Sequence, residues 1–198
     1  MNLIKSCSYQ QQEILESIIA LHTGPIEADV TYGKGCLYRR SLPRPLFCFD
    51  LQPCGCGVIP ADVQHLPVKP NIFRCVMFDP PFMVKTGPGA KLKDRFGVVG
   101  RNIRDLWDFY FLAMMEICRV LRPGGWLIFK CQDVVNSGVN NFSHVVIWNY
   151  AQSVGFIPRD LFILLAKTRM VPKKQVNQRH ARKYHSYFWV FQKNGGRN

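Results

Sequence analysis

Apolar residues recur along this chain at two periods, and the switching between them outlines a fold. Residues 9–21 place Ile14, Leu15, Ile18 and Ile19 on one stripe with polar residues opposite, which predicts a helix ended by His22-Thr23-Gly24-Pro25. His22 is expected as a cap or a surface residue. Residues 103–121 put Leu106, Phe109, Tyr110, Ala113, Met114, Ile117 and Leu121 on one face and predict a long helix, stopped by Arg122-Pro123-Gly124-Gly125. Residues 142–154 predict another, ended by Gly155. Short apolar runs bounded by turn residues lie at 26–30, 46–50, 58–61, 72–78, 126–131, 161–166 and 187–192, and each has the length of a strand. The last two are spaced for an antiparallel hairpin around a long connection. Strands alternating with helices predict an α/β fold with a largely parallel sheet. With no internal repeat, the 198 residues are expected to form one domain, 1–198.

Several of these strands end in chemistry. The first runs into Asp29-Val30-Thr31-Tyr32-Gly33-Lys34-Gly35. A strand followed by a Gly-x-Gly turn brings backbone close to a nucleotide-like ligand, although any tight turn uses glycines. The Gly-Lys-Ser/Thr ending of a phosphate loop and the full dinucleotide pattern are both missing. Asp50 closes the second strand, about 20 residues on, where a carboxylate takes a ribose hydroxyl; an Asp that only closes a turn looks the same. Asp62 follows the third strand. The fourth leads into Asp79-Pro80-Pro81-Phe82. Two prolines stop the ladder and hold the backbone extended. The Asp79 carboxylate, the Pro80 carbonyl and the Phe82 ring are then offered at a strand end, where open α/β sheets bind ligands. A rigid turn with a capping Asp and a core Phe is the bland alternative. The Gly-x-Gly turn and the acids on neighbouring strands weigh against it.

Composition adds a partner. Hydrophobic residues make up 47% and aromatic residues 13%, ordinary for a packed domain. The net charge of +13 is not ordinary and favours a polyanion. Lys85, Lys91, Lys93, Arg95, Arg101 and Arg104 follow the Asp-Pro-Pro-Phe stretch, most of them within a Gly-rich segment at 83–102 that suits a lid or substrate loop. Lys167, Arg169, Lys173, Lys174, Arg179, Arg182 and Lys183 form a second group in the hairpin connection, 167–185, and no acidic residue follows Asp160. Both groups are expected to bind backbone phosphates. A basic protein with no nucleic-acid role, or one bound to an anionic membrane, is the bland alternative; no membrane partner is expected, and no apolar stretch is long enough to span a bilayer.

Eight cysteines raise the question of disulfides. Cys48, Cys75 and Cys131 sit inside apolar runs, where Cys acts as a small hydrophobe. No secretory leader is evident behind Met1-Asn2-Leu3-Ile4-Lys5. Reduced thiols in the cytoplasm, or in the nucleus of a eukaryotic cell, are therefore expected. Cys54-Gly55-Cys56 has no second pair at zinc spacing, and no metal is expected.

Taken in order, these motifs resemble the Rossmann-like class I S-adenosylmethionine-dependent methyltransferases, and among them the amino-methyltransferases of nucleic acids. Asp29-x-Thr31-x-Gly33-x-Gly35 looks like their cofactor loop. Asp79-Pro80-Pro81-Phe82 matches the Asp/Asn/Ser-Pro-Pro-aromatic signature of enzymes that methylate exocyclic base nitrogens. Val120-Leu121-Arg122-Pro123-Gly124-Gly125 looks like their entry to the fifth strand. Lys183-Tyr184-His185-Ser186-Tyr187-Phe188-Trp189-Val190-Phe191 resembles the strand that closes the sheet in DNA adenine and cytosine-N4 methylases.

The resemblance implies a seven-stranded, mostly parallel sheet ordered 3-2-1-4-5-7-6, with the last strand antiparallel and helices on both faces. It implies that S-adenosylmethionine lies over Gly33 and Gly35, with its ribose on Asp50, its adenine amine on Asp62 and its methionine end near Asp29 and Thr31. It also implies a clamp in which Asp79 and the Pro80 carbonyl accept the amine hydrogens, Pro81 stiffens the turn and Phe82 stacks on the base. The cofactor motif precedes the catalytic one, the unpermuted order. The chain has no room for the separate target-recognition domain of many DNA methylases. Target reading is then expected from the two basic segments, a homodimer or a partner subunit. The expected activity is adenine-N6 methylation of DNA. RNA adenine-N6 and DNA cytosine-N4 methylation use the same signature. A methyltransferase-like subunit that binds nucleic acid without catalysis is the alternative of another class. The charge disfavours a small-molecule or protein-glutamine methylase.

Overall fold

A computed structural model describes residues 3–38, 41–84, 100–168 and 178–196. In chain order its elements are β1 (Cys7–Ser8), α1 (Gln11–Ile18), β2 (Ala28–Asp29), β3 (Phe47–Asp50), β4 (Ile59–Pro60), β5 (Phe73–Phe78), α2 (Ile103–Val120), β6 (Leu121–Cys131), β7 (Val134–Asn136), β8 (Val139–Asn141), α3 (Ser143–Val154), β9 (Phe156–Leu165) and β10 (His185–Lys193). Among the described residues the principal sheet has eight strands in the order β1-β9-β10-β6-β5-β2-β3-β4. This corrects the expected seven. The added strand, β1, pairs in parallel with β9 at the sheet edge. It is two residues long and held by backbone bonds, so it has no apolar period by which to be seen. The sheet is mixed: β10 runs antiparallel to both β6 and β9, and the other pairs are parallel.

The sheet has apolar side chains on both faces. In β5, Val76 and Phe78 face one way, with Cys75 and Met77 facing the other. A register shift between Phe73 and Cys75 brings Phe73 to the side of Val76 and Phe78. That side is covered by Leu106, Tyr110, Ala113, Met114 and Ile117 of α2 and by Ile147 and Ala151 of α3. The opposite side is covered by Ile14, Leu15 and Ile18 of α1, packed with Ile128, Phe188 and Val190. α2 begins at an Asn cap: the Asn102 side chain accepts from the Arg104 amide at 2.8 Å and the Asp105 amide at 3.1 Å.

Three boundaries differ from the pattern-based expectation. The first helix leaves the α form after Ile18 and continues as a π-turn over Ile19–Thr23. His22 in that turn lies 3.0 Å from Asp160 of β9, a tertiary partner rather than solvent. β6 begins at Leu121, running through the Arg-Pro-Gly-Gly stretch read as a stop. A Cβ on Gly125 would approach the carbonyls of Arg122 and Arg74 to 2.9 and 3.2 Å, so glycine permits the close strand contact there. The β7–β8 hairpin was not anticipated. Its turn places both Ser137 and Gly138 at positive φ, 49° and 75°, the geometry of a two-residue hairpin loop.

Candidate active site at the strand ends

Because β2 to β6 run parallel, their C-terminal ends share one edge of the sheet, where backbone groups leave the ladder. The sequence-predicted acids gather at this edge. Thr31, two residues past β2, meets the start of the Asp79 turn: the Asp79 amide donates to the Thr31 hydroxyl at 2.8 Å. The supposed cofactor turn and the supposed amine clamp are thereby one hydrogen-bonded unit.

Asp29 lies beneath that unit and is fully buried. One carboxylate oxygen accepts from the Thr31 amide at 2.8 Å, the other from the Tyr38 hydroxyl at 2.7 Å. Burial lifts its carboxyl to about 7, although the Tyr38 and Thr31 hydrogen bonds pull it down. Burial and the neighbouring Asp29 push the Tyr38 hydroxyl far up as well. Asp29 shapes the loop from below; it does not face solvent.

Asp50 braces the Gly turn directly. Its Oδ2 accepts from the Gly33 amide at 2.7 Å and its Oδ1 from the Gln52 amide at 2.8 Å. Gly33 and Gly35 both adopt positive φ, 55° and 65°. At Gly35 a Cβ would run into the Tyr32 ring. That ring stacks on Tyr38 at 5.7 Å and 11°, and the Arg44 guanidinium lies 5.2 Å from its centroid. Asp62 follows β4 at the same edge, but its carboxylate accepts from the Gln64 amide in its own turn, 2.9 Å away. No hydrogen bond among the described residues ties it to the other acids.

At the clamp itself, Pro80 is buried, and Asp79, Pro81 and Phe82 are half-buried. The Pro81 carbonyl accepts from the buried Tyr110 hydroxyl of α2 at 2.9 Å. The Pro80 carbonyl has no hydrogen-bond partner among the described residues, which leaves the acceptor expected to meet an amine open. Asp79 Oδ2 is held by the Lys130 ammonium at 2.9 Å, with only 13% of the Lys130 and 22% of the Asp79 side chain exposed. The same ammonium lies 5.7 Å from the Phe82 ring centroid and 5.6 Å from that of Phe188. Sequence reasoning missed Lys130. The available signal was a lone cation in the apolar run 126–131 of a strand predicted beside the Asp79 strand. Tyr110 was read as a core residue only, and its hydroxyl gave no separate signal.

A second missed group stands past the end of β6. Asp133 is 3% exposed and lies 2.7 Å from His144 Nδ1 at the start of α3. The Tyr187 hydroxyl donates to it at 3.4 Å, and the Tyr187 ring stacks on His144 at 4.3 Å. Burial and the Asp133 charge push Tyr187 up to about 12. Of the predicted phosphate-binding residues, Arg101 is exposed beside the α2 cap. Arg179 is exposed, Arg182 and Lys183 are half-buried, and the Lys183 ammonium lies 5.7 Å from the exposed Phe142 ring. His180, between them, lies 2.7 Å from the Gly138 carbonyl of the β7–β8 turn. Lys85, Lys91, Lys93, Arg95, Arg169, Lys173 and Lys174 lie outside the described residues, as do 85–99 of the predicted lid. No group of three or more potential metal ligands occurs among the described residues.

No protein-family model matches the chain, and no curated protein matches it. Solved structures do. One is the Haloferax volcanii complex between the Trm112 methyltransferase activator and a protein described as a methyltransferase: TM-score 0.59, 12% identity, covering 96% of this chain and 91% of that one. TrmN from Thermus thermophilus matches with TM-score 0.53 and 13% identity over 92% of this chain and 48% of its own. The cytosine-N4-specific PvuII DNA methyltransferase matches with TM-score 0.50 and 18% identity over 68% of this chain and 48% of its own. The chain spans about half the length of PvuII methyltransferase and of the Thermus thermophilus DNA modification methylases it also matches, of which it covers 52% to 55%. At these identities the likeness concerns the fold, and the fold is the Rossmann-like methyltransferase fold.

Proposed function

We propose that this chain transfers a methyl group from S-adenosylmethionine to the exocyclic amine of a nucleic-acid base, adenine N6 in DNA. The observation that carries the reading is the hydrogen bond from the Asp79 amide to Thr31, because it couples the turn suited to the cofactor to the carboxylate suited to the amine. The methyltransferase fold supports the transfer, and the net charge of +13 supports a polyanionic target.

The strand-end residues fit the cofactor. Each Asp50 oxygen accepts one hydrogen bond and keeps a lone pair for a ribose hydroxyl. Asp62, on the neighbouring turn, is assigned the cofactor's adenine amine. Gly33, where a Cβ would have only Asp50 Oδ2 near it at 4.0 Å, leaves the turn without a side chain where a ligand would lie against it, and Asp29 and Thr31 support it from below. When bound, S-adenosylmethionine supplies an electrophilic methyl group on sulfur.

The chain's own residues supply alignment. An aromatic amine is a poor nucleophile because its lone pair is delocalised into the ring. Asp79 and the Pro80 carbonyl are assigned its two hydrogens, which turns the lone pair outward for attack. Asp79 need not remove a proton first, since deprotonation can follow transfer. Phe82 is assigned the face of the base, a stacking contact worth about 1–3 kcal/mol. A base in a duplex must leave the stack to reach it. Arg101, Arg179, Arg182 and Lys183, with the basic residues of 85–95 and 169–174, are assigned backbone phosphates. A partner subunit for target reading belongs to the same proposal, and the Haloferax volcanii neighbour, found with an activator, supports it.

The test is transfer from a radiolabelled methyl donor to DNA and to RNA, followed by nucleoside mass analysis. N6-methyladenine in DNA is expected, and none with Asp79→Ala. N4-methylcytosine, or N6-methyladenine confined to RNA, would reassign the target. Label in neither nucleic acid would overturn the reading.

A further inference from the structure

Lys130 stands in an apolar setting. Leu127, Ile128, Phe129 and Cys131 around it on β6 are all fully buried. A cation in such a run needs a reason, because lysine is almost never buried unless paired. Register supplies the partner. Phe129 pairs with Phe78 across β5–β6, so Lys130 stands beside Asp79; across β6–β10 it pairs with Phe188. Its ammonium donates to Asp79 Oδ2 at 2.9 Å and lies 5.7 Å from the Phe82 ring centroid.

Those two contacts duplicate what the proposed function asks of a target base: an N–H donated to Asp79 and a position against Phe82. We infer that Lys130 is the resting occupant of the amine site, a positioning residue whose ammonium stands in for the target amine and is displaced by it. The inference rests on the proposed function. One observation and two chemical arguments support displacement over a permanent ion pair. The stand-in is incomplete, since Asp79 Oδ1 and the Pro80 carbonyl accept no hydrogen bond among the described residues. A base amine that uses both acceptors gains a bond that Lys130 does not make. Methylation also builds positive charge on the attacking nitrogen, and a carboxylate already neutralised at 2.9 Å has little left to offer that charge. Finally, lysine is a point charge on a flexible four-carbon stem and can swing away, whereas an arginine fork would hold both carboxylate oxygens.

The consequence is selectivity. A base with no exocyclic amine, such as thymine or uracil, offers a single ring N–H that cannot meet both Asp79 and the Pro80 carbonyl, and leaves Lys130 in place. An amino-bearing base competes, and its affinity is reduced by the fraction of time the site is occupied.

The experiment compares wild type with Lys130→Met, which keeps the stem length and removes the ammonium. The probe is a short single-stranded oligonucleotide with one adenine, titrated with an unreactive cofactor analogue present. Loss of a positive charge would ordinarily weaken binding to a polyanion. The inference predicts the opposite: Kd and target KM lower by about fivefold, with cofactor Kd unchanged. Weaker or unchanged target binding, or a fall in kcat alone, would overturn it. A wild-type measurement guards against misfolding of the variant. Acylation footprinting read by mass spectrometry should show Lys130 more reactive with oligonucleotide and analogue bound than without. Equal or lower reactivity would overturn the inference. The two proposals fail separately: no methyl transfer by wild type sinks the proposed function, whereas transfer by wild type with weaker target binding by Lys130→Met sinks only this one.

Discussion

The Asp79 amide donates to the Thr31 hydroxyl across 2.8 Å, joining the ends of β5 and β2 through a side chain after the backbone ladder has ended. Thr31→Val keeps the branched shape and deletes the acceptor, leaving the Asp79 N–H without a partner. An unmade bond at a part-buried donor costs about 1–3 kcal/mol. The expected result is a lower unfolding temperature and a fall in kcat of about tenfold or more, with Thr31→Ser close to wild type. Steady-state kinetics and thermal unfolding of both variants check this.

Tyr110 holds the other side of the same turn through the Pro81 carbonyl, at 2.9 Å. Its ring also packs edge-on against Phe129 at 5.3 Å and Phe78 at 6.4 Å. Tyr110→Phe preserves those ring contacts and removes only the hydroxyl. Stability should fall by about 1 kcal/mol. Cofactor affinity, measured by calorimetric titration, should stay constant while kcat falls, because the clamp and not the cofactor turn has lost its brace.

The two turn glycines should respond unequally to alanine. At Gly33 a Cβ has Asp50 Oδ2 as its nearest contact, 4.0 Å away, so Gly33→Ala meets the backbone penalty of positive φ, about 1–2 kcal/mol. At Gly35 the added methyl also runs into Tyr32 and must break its stack on Tyr38. Denaturant unfolding should rank Gly35→Ala clearly below Gly33→Ala, and cofactor binding should follow the same order.

Asp29 should give the stability profile a recognisable slope. Its carboxyl is raised by burial from 3.8 to about 7, so the folded chain holds this proton more tightly than the unfolded chain. Between about pH 4 and pH 7 the folded state binds the extra proton, so this group's contribution to stability declines as pH rises and is gone above the folded value. Other carboxylates change stability with the opposite sign, so the informative quantity is the difference between wild type and Asp29→Asn. Thermal unfolding from about pH 5 to about pH 8 should show the wild type losing stability relative to the variant as pH rises.

Much of this architecture could be read from local pattern. The stripe through Leu106, Tyr110, Ala113, Met114 and Ile117 is a helix face because burial repeats every turn. The run ending at Phe78 is a strand that stops because two prolines follow Asp79. Elements of two residues escaped or were overdrawn for the same reason: β1, β2 and β4 are defined by backbone pairing with neighbours, and no side-chain period has room to develop in them.

At the site, local chemistry marked Asp50, Asp79 and the Gly33 turn as candidates, and the structure brings them to one edge of the sheet. It could not show that Asp29 turns inward to Tyr38, that Tyr110 reaches Pro81, or that Asp133, His144 and Tyr187 converge. Nor could it show Lys130 at Asp79, 51 positions apart in the chain. Residue types announce what a strand end can do. Which partners meet there depends on the register between strands, set by the packing of the whole sheet, where a shift of one residue would turn Lys130 to the opposite face and leave Asp79 without its cation.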